Sequence, residues 1–178
     1  MRLVRRLSGA VCIDPDGTPA ATNSDGTRGL RGQDITVAAM SKNLRPIVDQ
    51  LRLAAPNAKI RFISYPSVFG TGSNVACSGG SGTSEWAYTA DETQYLQGLL
   101  NTMSDTTQTV LAQIRTALGL TTDQLSMVDI RTASQDHGVC EPLNQRWIAQ
   151  PTGDTSAAGI HPNLSMFALE AREVRDSL

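Results

Sequence analysis

Two short apolar runs, Lys59-Ile60-Arg61-Phe62-Ile63-Ser64-Tyr65 and Leu125-Ser126-Met127-Val128-Asp129-Ile130-Arg131, have the length and residue types of strands, and one long amphipathic segment lies between them. That order constrains the fold more than any other feature. Strands divided by a long helix pair in parallel, through right-handed crossovers. The functional crevice of such a sheet lies beyond the carboxyl ends of its strands. The loops that leave those ends, residues 66–88 and 132–162, are therefore where chemistry is expected.

The sequence predicts three helices. The first spans about 34–55, with Met40, Leu44, Ile47, Val48 and Leu51 on one face and Pro46 expected to kink or break it near Arg45. The second opens on Thr89-Ala90-Asp91-Glu92, a capping-box pattern, and ends near Leu118 with Gly119 beyond it. Its expected stripe is Leu96, Leu99, Leu100, Met103, Val110, Leu111, Ile114 and Leu118. The last covers about 163–177, with Leu164, Phe167, Ala168, Ala171 and Val174 inward. The class is α/β, read as one domain over residues 1–178. Two strands alone make a poor sheet.

Composition removes some functions. Net charge is −2 and no basic stripe is visible, so nucleic-acid binding has little support. No apolar run reaches the length of a membrane span. Met1-Arg2-Leu3-Val4-Arg5-Arg6-Leu7 carries the charges of a signal peptide without the apolar region that must follow, and reads as an amphipathic first helix or a frayed end. Residues 14–33 form a long polar loop of the kind used as a lid or binding loop. No cysteine or histidine cluster has zinc spacing, so neither metal nor cofactor is expected. Of the three cysteines, Cys12, Cys77 and Cys140, the last two stand in turn-rich loops, a context that suits a stapling disulfide.

Acid–base chemistry has few candidates, because the chain holds only His137 and His161. His161, in Gly159-Ile160-His161-Pro162-Asn163, sits on a loop at the mouth of the last helix, and imidazole titrates near neutrality. His137, in Asp136-His137-Gly138-Val139-Cys140, reads as part of a turn.

Taken in order, Ala55-Pro56-Asn57-Ala58 leading into a strand that ends Tyr65-Pro66, then Asp136-His137-Gly138-Val139-Cys140, Trp147-Ile148 and Gly-Ile-His-Pro-Asn resemble the C-terminal part of an SGNH hydrolase, closest to the secreted actinobacterial esterase/lipase branch of the GDSL family. The likeness runs from about residue 7 to the end. It implies a three-layer α/β/α flavodoxin-like fold, cleavage of carboxylic esters, secretion, and a disulfide between Cys77 and Cys140. His161 matches the family's general base. The family's Gly-Asp-Ser and Gly-x-Asn-Asp blocks do not occur, and Ala158 stands where the family's acid precedes the histidine by three. The resemblance thus implies an N-terminally truncated member, with three of five strands missing.

The roles around His161 stay open at this level. The orienter is Asp154, Asp136 or a main-chain carbonyl near Trp147. The nucleophile is sought among Ser67, Ser73, Ser78, Ser81 and Ser84, with Ser81 in Gly80-Ser81-Gly82 having the backbone flexibility for an exposed hydroxyl. Trp86 and Trp147 are expected to line an acyl or glycan pocket or to anchor loops. The leading expectation is a serine esterase using His161, acting on small esters or acylated glycans. The second is a non-catalytic fragment that self-associates or binds a missing N-terminal half. The third is a glycan-binding module.

Overall fold

The computed structural model describes residues 35–70, 75–79, 86–151 and 156–178. Cys12, the loop at 14–33, Ser73, Ser81, Ser84 and Asp154 lie outside them. Four helices and four strands occur among the described residues, in the order α1 (Val37–Ala54), β1 (Ile60–Ile63), β2 (Cys77–Gly79), β3 (Trp86–Tyr88), α2 (Ala90–Leu118), β4 (Leu125–Val128), α3 (Arg131–Ser134) and α4 (Leu164–Asp176). β1 and β4 pair in parallel, with Ile60 opposite Leu125 and Ile63 opposite Val128. This is the α/β arrangement expected from two strands divided by a helix. None of the described helices is long and apolar enough to cross a membrane.

The sheet carries apolar packing on both faces, as its alternation requires. Ile60 and Leu125, with Phe62 and Met127 beside them, join Val48 of α1 and Val110, Leu111 and Ile114 of α2 in one cluster. Val128 belongs to a second cluster with Ile130, Ile148, Val139, and Met166 and Leu169 of α4. Arg61, on the same face as Val128, donates from Nη2 to the Ser177 carbonyl at 2.8 Å and so ties the end of α4 to β1.

Caps set the helix limits. Thr89 accepts from the Glu92 amide at 3.2 Å and Glu92 accepts from the Thr89 amide at 2.8 Å, a complete capping box. Gly119 ends α2 with φ 63°, the left-handed turn that glycine adopts without steric cost. Thr36 caps α1, which continues through Pro46 as a single helix rather than breaking at Arg45.

Three expectations are corrected. On α1 only Val48 is fully buried, while Ile47 and Leu51 are 48% and 44% exposed, because two strands are too narrow to cover the whole stripe. On α4 the buried residues are Met166 and Leu169, whereas Leu164 and Phe167 are 81% and 54% exposed. Asn163 fixes that rotation by accepting the Ser165 and Met166 amides, at 3.0 and 3.3 Å. Ala168 and Ala171 are exposed as well, Val174 is half-buried as expected, and the half-buried Glu170 beside it is what apolar content did not reveal. Finally, the loop 66–88 contains an antiparallel hairpin, with Cys77 opposite Tyr88 and Gly79 opposite Trp86.

Candidate active site

The loops leaving the carboxyl ends of β1 and β4 are bound to each other. The Ser67 amide donates to Ser134 Oγ at 2.9 Å, and the Val139 amide to the Val68 carbonyl at 2.7 Å. Gly70 has φ 57°, and a Cβ there would lie 1.9 Å from the Gln135 carbonyl oxygen, so only glycine lets the two backbones pass. Cys77 and Cys140 form the disulfide that fastens the hairpin to the second loop, with Cα atoms 5.6 Å apart. The amide of Phe69 is satisfied from a distance by Gln97 of α2, whose Oε1 accepts it at 2.9 Å.

His161 hangs on a short ladder built from the second loop. The Asn163 amide donates to the Trp147 carbonyl at 2.8 Å, the Ala149 amide to the His161 carbonyl at 2.9 Å, and the Ile160 amide to the Ala149 carbonyl at 3.0 Å. Ile148 faces Pro162 in an isolated antiparallel bridge. Ile160, immediately before the histidine, has φ 62°. A β-branched residue in that region stores on the order of 1–3 kcal/mol. Its side chain packs against the apolar cluster around Met166, which holds the strained turn in place. Gly159 completes the turn, since a Cβ on it would come within 2.4 Å of the Pro151 carbonyl oxygen.

The imidazole of His161 is exposed, and its Nδ1 lies 2.8 Å from the Gly159 carbonyl oxygen. A carbonyl only accepts, so the contact places a proton on Nδ1, and in the neutral imidazole that leaves Nε2 as the acceptor. A main-chain oxygen thus orients the ring, from two residues upstream rather than from Trp147. Asp136 is exposed and makes no hydrogen bond to His161. Asp154 and Ser81 lie outside the described residues. Ser67 is buried, at 8% exposure, while Ser78 is exposed on β2. No described serine hydroxyl is hydrogen-bonded to His161.

The two tryptophans have different surroundings. Trp86 is 7% exposed and packs in the core beside Tyr88, at a centroid distance of 5.8 Å. Trp147 is half-buried, and the ring of His137 stacks on it at 3.4 Å with an interplanar angle of 9°. That stack is absent from the sequence-level expectations, in which His137 belonged to a turn. No spacing rule announces it, because the two residues meet across a loop.

Charged groups flank the region. At the end of β4, Arg131 donates to Asp129 Oδ1 and Oδ2 and to Asp105 of α2, and Ser64 donates to Asp129 Oδ1 at 3.1 Å. The Arg131 hydrogen bond holds the Asp129 carboxyl below its ordinary pKa. Burial pushes the Glu170 carboxyl up, and burial together with the nearby Glu170 charge raises the Tyr65 hydroxyl. Among the described residues, no group of three or more His, Cys, Asp and Glu is gathered as a metal site. Shallow depressions along α2 and between α1 and α2, lined by Gln113, Arg115 and Arg45 among others, contain none of the candidate residues.

Comparison with known proteins adds no relative: no protein-family model, no curated protein and no solved structure matches the chain.

Proposed function

We propose that the chain is a carboxylic-ester hydrolase of the SGNH type, with a flavodoxin-like plan, in which His161 is the general base. The observation that supports this is the geometry of the His161 ring: it is exposed, with Nδ1 2.8 Å from the Gly159 carbonyl oxygen, so that Nε2 of the neutral imidazole faces away from that contact as the acceptor. In the proposed reaction Nε2 takes the proton of a serine hydroxyl as its oxygen attacks the ester carbonyl carbon. The same nitrogen then returns a proton to the departing alkoxide, and water cleaves the acyl-enzyme by the reverse sequence. A carbonyl partner supports imidazolium less than a carboxylate does, so a modest turnover is expected unless Asp154 also approaches. Ser81, or a serine of a partner chain, supplies the hydroxyl. Trp147 walls the acyl or glycan side of the substrate. The Cys77–Cys140 bridge fits an oxidising, extracellular setting.

The test is turnover of p-nitrophenyl acetate and butyrate by the purified chain. His161→Ala is expected to lower kcat by about 100-fold or more. Equal rates in the two proteins end the proposal.

One observation favours a second reading, a fragment that binds a partner chain. Ile47 and Leu51 of α1 and Ile63 of β1 are each more than two-fifths exposed, at 48%, 44% and 44%. Apolar groups left over by a narrow sheet are available to another chain. Light scattering that returns an esterase-active monomer rules out this reading.

A further inference from the structure

We propose that His137 is the positioning residue for His161, acting through Trp147. This rests on the esterase reading for its consequence in catalysis, but the coupling itself is a property of the fold. The chain of contacts is continuous. His137 Nδ1 lies 2.5 Å from the Gln145 carbonyl, which fixes the orientation of its ring as Gly159 fixes that of His161. The ring lies flat on the Trp147 indole, and the Trp147 amide donates to the His137 carbonyl at 2.8 Å. Trp147 is thereby held at both its side chain and its main chain. Its carbonyl accepts the Asn163 amide, and Ala149, two residues on, pairs with both Ile160 and His161. Asn163 Nδ2 also donates to the Arg146 carbonyl at 3.1 Å, so the same asparagine that caps α4 grips the residue next to Trp147.

The physical reason for such a clamp lies in the turn it supports. Ile160 sits in a left-handed conformation that a free chain avoids, and the Nδ1–Gly159 bond exists only while that turn persists. The segment 147–149 is the strip against which the turn is formed. A stacked aromatic pair adds attraction beyond its buried area and restricts the indole to one orientation. Releasing the indole leaves Trp147 held by its main chain alone, which loosens the ladder and the strained turn, and His161 loses its fixed tautomer. A base misplaced by about 1 Å costs on the order of 100-fold in rate, so a clamp at this distance from the chemistry matters to kcat.

The coupling is measured on the full chain labelled with 15N-histidine, by long-range proton–nitrogen spectra of the imidazoles. The unaltered protein is expected to show His161 as the Nδ1–H tautomer. His137→Ala is expected to give a mixture of tautomers at His161, and His137→Phe, which keeps a stacking ring without the Gln145 bond, to restore most of the original signal. Should His137→Ala fail to fold, His137→Asn replaces it, since its amide reaches for Gln145 without stacking and the same loss is expected. Unchanged His161 signals in a folded His137→Ala or His137→Asn protein overturn the proposal. Kinetics separate the two levels. With ester turnover present, His137→Ala lowers kcat by up to about 100-fold, and KM rises with it because the released Trp147 indole also walls the substrate. Absence of turnover in the unaltered protein defeats the esterase reading and leaves the tautomer result to judge the clamp.

Discussion

The two halves of α2 do opposite work. Its C-terminal half buries Val110, Leu111 and Ile114 against β1, β4 and α1, an aliphatic contact between regular elements. Its N-terminal half buries Thr93, Gln97 and Ser104. Two of these polar side chains reach loop backbone: Gln97 accepts from Phe69, and Thr93 Oγ1 lies 3.2 Å from the Val75 carbonyl, sharing its single proton with the Ala90 carbonyl at 2.8 Å. One helix therefore supports a periodic core at one end and irregular loops at the other. Loops present unpaired amides and carbonyls, and an element packed against them has to offer partners. The loop half, where His161 sits, adds one covalent bond, an aromatic stack and specific hydrogen bonds to its apolar cluster, whereas the sheet half is held by shape and apolar area.

The largest expected effect on this contrast comes from the loop half. Replacing Cys77 and Cys140 by serine opens a closed loop with a sequence separation of 63. The chain-entropy relation puts the loss at about 4 kcal/mol, read as a lower denaturation midpoint in urea. If the double variant matches the parent, the covalent bond is not what holds the loops. In the sheet half, Leu111→Ala removes a fully buried side chain and is expected to cost about 3 kcal/mol. A cost below about 1 kcal/mol would mean the aliphatic cluster is loosely packed.

Gln97 sharpens the comparison on α2 itself. Gln97→Leu keeps an apolar volume but strands the buried Phe69 amide, at a cost of about 2 kcal/mol. Hydrogen exchange at Phe69 is expected to accelerate selectively, and protection equal to the parent's removes the claim that this half works by polar support.

The smallest effects are pH-dependent and opposite in sign. Asp129 has a folded pKa below its unfolded value, so its stabilising contribution is present above the unfolded pKa and disappears as pH falls through the folded one. Asp129→Asn is expected to flatten the acid limb of the stability curve. Glu170 has a folded pKa above its unfolded value, so its contribution is present below the unfolded pKa and is lost as pH rises through the folded one. Glu170→Gln is expected to stabilise at neutral pH and not in acid. Melting curves across pH read both, and parallel behaviour of the two variants contradicts these assignments.

Periodicity made the sheet half legible. The paired strands, the caps at Thr89 and Gly119 and the helices came from apolar spacing and hydroxyl–carboxylate pairs, which are local signals. The rotation of α4 did not, because the partly covered Glu170 lies on its inward face, and the amides gripped by Asn163 decide it. The hairpin Cys77–Gly79 with Trp86–Tyr88 was hidden by glycine and serine that disguise short strands. At the proposed site, His161 stood out in the sequence by its rarity and its loop. Its orienter was not, since a carbonyl such as that of Gly159 is present at every residue and is selected only by the turn that aims it.

The most direct test of the catalytic account is covalent labelling by a fluorophosphonate ester, followed by mass-spectrometric mapping of the modified peptide. The account predicts one labelled serine, at Ser81 or on a neighbouring copy of the chain, with labelling slowed about 100-fold by His161→Ala. Labelling that is absent, or that proceeds equally without the imidazole of His161, contradicts it.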